Sequence, residues 1–331
     1  MIKLEKDLQV LTTYLQAQKW LLAGEHITHF HVPGDGNMNF TLRICTPRRS
    51  FIIKQSRGYV EKYPQVAAPT DRVQREADFY KEISDHPYLT KMTPKIMGVD
   101  GINNIIAMED LGAGKDYTFF YKNKAVIPDT ELQQIMKFAA VLHNENKIQN
   151  ATSPISNRAM RKLNHEHMFL YPYLEDNGLN LDTVLPGLAD LAKKYKDDTA
   201  LKAKIESLGN RYLEDGDTLL HGDYFPGSWL KTEEGVRIID PEFCFYGYPE
   251  FEIGVTTAHL MLCDQPVQTI LNAHKYYKEE ADLDLELVKQ CAGAEVLRRI
   301  LGLAQLPLSI DLEKRAQLLE TAREYVMNNN N

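Results

Sequence analysis

The stretch "HGDYFPGSW" (221–229), followed closely by "IIDPEFCFYG" (238–247), decides how this chain is read. The first puts a histidine, an aspartate and a serine in a turn rich in glycine and proline. The second ends an apolar run on two carboxylates, Asp240 and Glu242. Pro241 is expected to keep that segment extended. Side chains at i and i+2 then share a face, so both acids can reach one hard cation. Asp223 follows the apolar "TLLHG", where a side chain can reach an open cleft. Taken alone, Asp223 reads equally well as a capping residue in a turn. HGD, GS and IDPE together, in a β-rich block of an otherwise helical region, favour phosphoryl transfer. That chemistry needs a carboxylate near an acceptor hydroxyl and oxygen ligands for a metal on the transferred phosphates. His221 is expected to hold the loop rather than to act as a base, and Phe243 and Phe245 are expected in the core.

Upstream, "VPGDGNMNFTLRI" (32–44) places Gly34 and Gly36 in a tight turn between strands. Glycines there let backbone N–H groups approach a phosphate. A later strand carries Lys54 after Phe51, Ile52 and Ile53, and a lysine in an apolar strand calls for a partner. Glu76, on the following helix, is the natural one. Each signal alone has a plain explanation, a hairpin or an edge lysine reaching water. Glycine turn, strand lysine and helix glutamate, in this order, are parts of a protein-kinase-like ATP site.

The texture of the chain changes near residue 112. Before it, residues 3–22 have helical spacing. "HITHFHV", "NFTLRIC", "SFIIKQS", "PKIMGVDG" and "NNIIAMEDLG" read as short strands. "TDRVQREADFYKEISDH" (70–86) reads as a helix capped by Thr70, with Val73, Ala77 and Tyr80 on its apolar face. After Gly112 helical periodicity covers 129–145, about 186–213 and four segments between 250 and 328, interrupted by the β-rich block 218–240. The expectation is an α+β fold: an ATP-binding lobe over 1–111 and a catalytic, substrate-binding lobe over 112–331.

At 331 residues the chain exceeds one typical core. With 44% hydrophobic and 25% charged residues it has an ordinary globular composition. A net charge of −8 makes it a poor candidate for binding nucleic acid. No run approaches the ~18 apolar residues of a membrane helix, so no membrane role is expected. The N-terminus lacks the features of a signal peptide. Cys45, Cys244, Cys263 and Cys291 form no CxxC pair, which fits reduced thiols and a cytoplasmic location.

These motifs resemble the aminoglycoside phosphotransferase and choline kinase superfamily, and within it methylthioribose kinase. The resemblance rests on "GDGNMN" (34–39), "IKQ" (53–55), "MEDL" (108–111), "HGDYFPGS" (221–228), "DPEFCFYG" (240–247) and "RRILGLA" (298–304). It implies the two-lobed protein kinase-like fold, with a small antiparallel-sheet N-lobe holding one helix and a larger, mainly helical C-lobe. It also implies ATP and Mg²⁺ as cofactors, and a small-molecule hydroxyl substrate, 5-methylthioribose first. By the resemblance, Asp223 would accept the proton of the sugar hydroxyl. Gly34, Gly36, Asn37, Asn39, Lys54 and Glu76 would serve ATP, with the backbone of Glu109 and Leu111 at the adenine. Asp240 and Glu242 would hold the metal. Ser228, where relatives outside methylthioribose kinases carry asparagine, would reach it directly or through water. Arg298 and Arg299 would lie near the substrate, although a solvated helix end explains them too. The family has a tryptophan in the loop matching 61–72; here Tyr63 stands in its place. Another sugar, an amino alcohol or an aminoglycoside is the alternative acceptor, and a pseudokinase that only binds nucleotide is the alternative class. A homodimer is the assembly to test.

Overall fold

The computed structural model describes residues 2–34, 36, 38–151 and 153–328. The first helix, α1 (Leu8–Ala17), is shorter than the spacing over 3–22 suggested. Asp7 caps it by accepting from the Val10 N–H at 2.9 Å, and Lys19, at φ +58°, turns the chain away after it. There follow β1 (His29–His31), β2 (Phe40–Cys45), β3 (Ser50–Gln55), the hairpin β4 (Tyr59–Val60) and β5 (Tyr63–Ala67), α2 (Arg72–Glu82), α3 (Pro87–Met92), β6 (Ile96–Asp100) and β7 (Ile105–Glu109). An antiparallel five-stranded sheet runs β1-β2-β3-β7-β6.

Alternation along β2 and β3 gives this sheet two different faces. Phe40, Leu42, Ile44, Phe51 and Ile53 pack with Leu11, Tyr14 and Leu15 of α1 in a core of their own. The opposite face carries Thr41, Arg43 and Cys45, paired with Lys54, Ile52 and Ser50. Strand period thus presents Lys54 toward α2 rather than into the apolar core. Helix α2 is capped at Asp71 rather than Thr70, and the Asp71 side chain makes no capping bond. Arg72 fixes the start instead. Its buried guanidinium donates to the carbonyls of Arg57 (3.0 Å), Pro69 (2.5 Å) and Met38 (2.8 Å).

The rest of the chain has β8 (Lys115–Asp116), α4 (Asp129–Glu145), α5 (Arg158–His165), α6 (Leu188–Lys196), α7 (Thr199–Leu213), β9 (Thr218–Leu220), β10 (Trp229–Thr232), β11 (Gly235–Ile238), β12 (Phe245–Gly247), α8 (Pro249–Leu262), α9 (Val267–Lys278), α10 (Leu285–Leu301) and α11 (Leu312–Met327). Asp198 divides the expected 186–213 segment by capping α7 through the Leu201 N–H at 2.9 Å. Helix α5, continued by a π-helical turn over Glu166–Leu170, was not legible in the sequence. Helix α8 is buried along most of its length, as is α10, so periodicity alone describes them poorly. No helix among the described residues is long and apolar enough to cross a membrane.

The β-rich block resolves into two small sheets. One is β12-β9; the other is β11-β10-β8, which takes its last strand from the segment after Gly112. The loops leaving β9 and β11 carry HGD and DPE, and they touch at Gly222. Gly222 has φ +84°, and a Cβ there would lie 2.2 Å from the Phe243 carbonyl oxygen. Left-handed backbone and a backbone neighbour leave an alanine no way to fit. Gly222→Ala is expected to destabilise the protein by roughly 2–4 kcal/mol, read as a lower midpoint in urea. An unchanged midpoint would show that the two loops move independently.

Candidate active site

Lys54 stands at the centre of the first cluster. Its ammonium donates to Glu76 Oε1 on α2 at 2.8 Å and contacts the Asp240 carboxylate after β11. The Lys54 and Glu76 side chains are buried, whereas that of Asp240 is 46% exposed. Among the described residues, Glu76 Oε2 has no hydrogen-bond partner although it is buried. Lys54 and Glu76, expected to pair from sequence, do so.

The DPE segment departs from the extended form expected of it. Strand β11 ends at Ile238, and Asp240 has φ +64°, a left-handed conformation uncommon outside glycine. The two acids therefore turn to different cations. Asp240 meets Lys54; Glu242 Oε2 meets Arg72 Nε at 3.3 Å and accepts from Asn39 Nδ2 at 2.9 Å. Burial pushes the Glu242 carboxyl above its ordinary range, and Arg72 and Asn39 pull against that push. Asn39 thus reaches a carboxylate here, and Asn37 lies outside the described residues.

Asp223 occupies a loop fixed from both sides. The N–H groups of His221 (3.2 Å) and Gly222 (2.6 Å) donate to Glu252 of α8. Glu252 is fully buried and also meets His143 Nε2 at 2.8 Å, while His143 Nδ1 meets the Tyr277 hydroxyl at 2.9 Å. Burial pushes Glu252 up; the His143 hydrogen bond and charge reverse it, leaving a lowered pKa. His221 bridges the two loops. Its Nε2 is 2.9 Å from the Ile239 carbonyl, and its Nδ1 lies 3.4 Å from the Asp223 N–H. One nitrogen thus donates and the other accepts, as in neutral imidazole, and burial lowers its pKa accordingly. Phe245 is in the core as expected, and Phe243 is half-buried. The Ser228 hydroxyl donates to the Asp223 carbonyl at 2.6 Å, so it closes the loop. Only its oxygen lone pairs remain for a metal or its water.

Beside Asp223 lie both arginines of α10. Burial pushes the Asp223 carboxyl up to about 6, against the charges of Arg299 and Arg298. Each guanidinium is held by Glu295, one helical turn earlier. Arg298 NH1 is 3.1 Å from Glu295 Oε2, and Arg299 Nε is 2.6 Å from Oε1. Burial raises the Glu295 pKa, and the two arginines more than offset this, leaving it well below the usual carboxylate range. His259 Nε2 also meets Glu295 at 3.1 Å, its Nδ1 contacts the Tyr121 hydroxyl, and burial lowers its pKa to about 4. Neither arginine is a solvated helix end: their side chains are only 11% and 9% exposed. One carboxylate holds both.

The remaining expected residues lie apart from this cluster. Tyr63 is 48% exposed on the β4–β5 hairpin, under the Lys62 ammonium. It is the strand partner of Val60 in that hairpin. Glu109 ends β7 and commits its N–H to the Lys95 carbonyl at 2.8 Å. Side chains added at Gly34 or Gly36 would meet nothing within 4 Å. Sequence reasoning missed Arg72, Glu252, Glu295 and His259. For Glu252 and His259 the signal was an ionisable side chain inside the apolar helix α8, and for Glu295 the helical spacing to Arg298 and Arg299; Arg72 gave none.

The oxygen donors of Asp240 and Ser228 suit a hard divalent cation, and the left-handed backbone at Asp240 keeps its carboxylate half-exposed. Glu242 would serve only while keeping Arg72. Because Asp223 has its folded pKa raised, its ionisation costs stability as pH rises through about 6. Asp223→Asn is therefore expected to raise Tm at pH 8 and to leave it nearly unchanged at pH 4, where the wild-type carboxyl is already protonated. An equal shift at both values would mean that burial of Asp223 carries no titration cost.

A model described as "Phosphotransferase enzyme family" matches residues 36–283. Methylthioribose kinase 1 of Oryza sativa subsp. japonica is 26% identical over 244 residues, which cover 69% of this chain and 55% of that protein. Methylthioribose kinase of Geobacillus sp. (strain WCH70) is 26% identical over 338 residues, covering 88% of this chain and 82% of that one. The chain spans little more than half the length of the rice relative. Among solved structures, LicA in complex with AMP aligns with a TM-score of 0.57 at 13% identity, over 96% of this chain and 98% of that one. A choline kinase LicA from Streptococcus pneumoniae gives 0.55 at 12% identity, over 96% and 98%. At such identities the likeness concerns the fold, and it bears out the two-lobed kinase-like class. The chain belongs to the phosphotransferase enzyme family.

Proposed function

We propose that this chain is a small-molecule kinase that transfers the γ-phosphate of ATP to a hydroxyl, with 5-methylthioribose or a related sugar as acceptor. The observation that carries the reading is Asp223: a half-buried carboxylate with its pKa raised to about 6, on a loop fixed by Glu252 and beside two buried arginines. A base with that pKa is ionised at neutral pH and still basic enough to take a proton in the transition state. The acceptor hydroxyl gives its proton to Asp223 as its oxygen bonds to the γ-phosphorus. The bond from that phosphorus to the bridging oxygen breaks, and ADP leaves with the electron pair.

The other residues take positions around this step. Lys54, held by Glu76, binds phosphate oxygens. Among the described residues nothing lies within 4 Å of a Cβ built at Gly34 or Gly36, which leaves room for phosphate to approach their N–H groups. Asn37 and Asn39 belong to the same turn. The backbone of Glu109 and Leu111 binds adenine between lobes 1–111 and 112–331. Asp240, with Glu242 and Ser228, would hold Mg²⁺, which supplies charge neutralisation on the phosphates when bound. Arg298 and Arg299 hold the acceptor or the transferring phosphoryl group.

The two guanidiniums also bear on the choice of acceptor. Glu295 is fully buried and its charge is already matched by both of them, so it is poorly placed to attract a substrate ammonium. A quaternary ammonium or an aminoglycoside would approach Asp223 past positive charge. A neutral sugar is compatible with this site, and the methylthioribose kinase relatives agree with that choice.

ADP production with Mg·ATP and 5-methylthioribose, set beside ribose derivatives, choline and aminoglycosides, tests the reading. Saturable turnover with the thiosugar and none with the cationic acceptors is expected. Turnover on choline or an aminoglycoside alone would overturn the acceptor, and ATP binding without turnover on any acceptor would replace the kinase by a nucleotide-binding protein. Asp223→Asn is expected to lower kcat about 10²–10⁴-fold while binding nucleotide as the parent does. A kcat within threefold of the parent would remove Asp223 as the base.

A further inference from the structure

We propose that His29, His31 and Cys45 form a binding site for one zinc(II) ion at the outer edge of the five-stranded sheet, separate from the phosphoryl-transfer residues. His29 and His31 are two apart on β1 and so point to the same side. Cys45 on β2 is the direct cross-strand partner of His29. Ligand atoms of all three lie within 4.8 Å of one another. The imidazole rings are stacked, with centroids 6.0 Å apart and planes 10° apart, so neither blocks the other. A thiolate with two imidazoles is a borderline-soft donor set, which selects zinc over magnesium or calcium.

The neighbours of the three residues prepare them for a metal. The Thr28 hydroxyl donates to the Cys45 carbonyl at 3.0 Å. Its proton is thereby committed, so in its 3.2 Å contact with His29 Nδ1 the imidazole is the donor. That tautomer leaves the lone pair on Nε2, the outer-shell arrangement usual for a metal-bound histidine. Arg43, the cross-strand partner of His31, is the nearest adverse charge in the pairing. Its guanidinium is drawn off to Asp110 (2.8 Å) and the Gly112 carbonyl (2.6 Å). Both histidines are exposed and Cys45 is half-buried, so an ion can enter from solvent. Three protein ligands leave a fourth position for water.

The location gives the site a consequence. Cys45 pairs with Ser50, on the same sheet face as Ile52 and Lys54. Strands β1 and β2 are the two arms on either side of the 32–39 turn. An ion held by His29, His31 and Cys45 fastens those arms together.

Cobalt(II) titration of the full-length, tag-free, reduced and metal-free protein tests the proposal, because a cobalt–thiolate bond gives a charge-transfer band in the near ultraviolet. One equivalent with such a band, displaced by zinc(II), is expected. Cys244, Cys263 and Cys291 are buried, so the band in folded protein reports Cys45. Cys45→Ser is expected to abolish the band, and His29→Gln or His31→Gln to weaken binding at least tenfold, with circular dichroism melts confirming that each variant folds. No band in the folded parent, a band that survives Cys45→Ser, or histidine variants that bind as tightly as the parent would overturn the site.

Discussion

The N–H groups of His221 and Gly222 converge on one buried carboxylate, Glu252 of α8, and the placement of Asp223 depends on that contact. A buried carboxylate is stable only when it is paired and hydrogen-bonded. Glu252 meets this condition with two backbone donors and the His143 imidazole. The same bonds that satisfy the acid hold the loop, so neither can relax without exposing the other. Gly222 adds the backbone freedom, and its close approach to Phe243 ties the HGD loop to the DPE loop. From there Asp240 reaches Lys54, and Lys54 reaches Glu76. One continuous set of contacts therefore runs from a helix of the C-terminal region to the sheet of the N-terminal region.

A second buried carboxylate organises the other side of Asp223. Glu295 holds Arg298 and Arg299 together, with His259 completing its shell. The arrangement keeps two positive charges near a carboxylate whose burial favours the protonated form. Burial dominates, and the Asp223 pKa settles near 6. Without the arginines it would rise further; with Asp223 in open water the carboxylate would be a weaker base. The position of α10 thus sets an electrostatic property of a loop some seventy residues earlier in the chain.

Much of this was legible in the sequence because it follows strand period and order. Lys54 after three apolar residues, Glu76 on the next helix, and HGD before IDPE each lie where the pattern placed them. Helices over 129–145 and beyond 250 were legible from spacing. What escaped had physical causes. Pro241 suggested an extended DPE segment, but the left-handed backbone at Asp240 sends its carboxylate and that of Glu242 to different cations. Glu252 and Glu295 sit on the buried faces of α8 and α10, where a charge announces a partner rather than a surface. The partners, His143 and the two arginines, are respectively 109 residues away in sequence and within four of Glu295. The second kind of pairing was readable from helical spacing; the first was not.

The most direct measurement is the pH dependence of kcat/KM with Mg·ATP and 5-methylthioribose, for the parent and for Arg299→Met and Arg298→Met, each confirmed as folded. The account predicts activity that is lost as pH falls through about 6 in the parent, because protonation removes the base. It predicts that the same limb moves to higher pH in each variant, as a charge that favours ionised Asp223 is removed. A limb that stays in place in both variants, or a parent profile with no limb near 6, would contradict the assignment of Asp223 as a base tuned by burial and the α10 arginines.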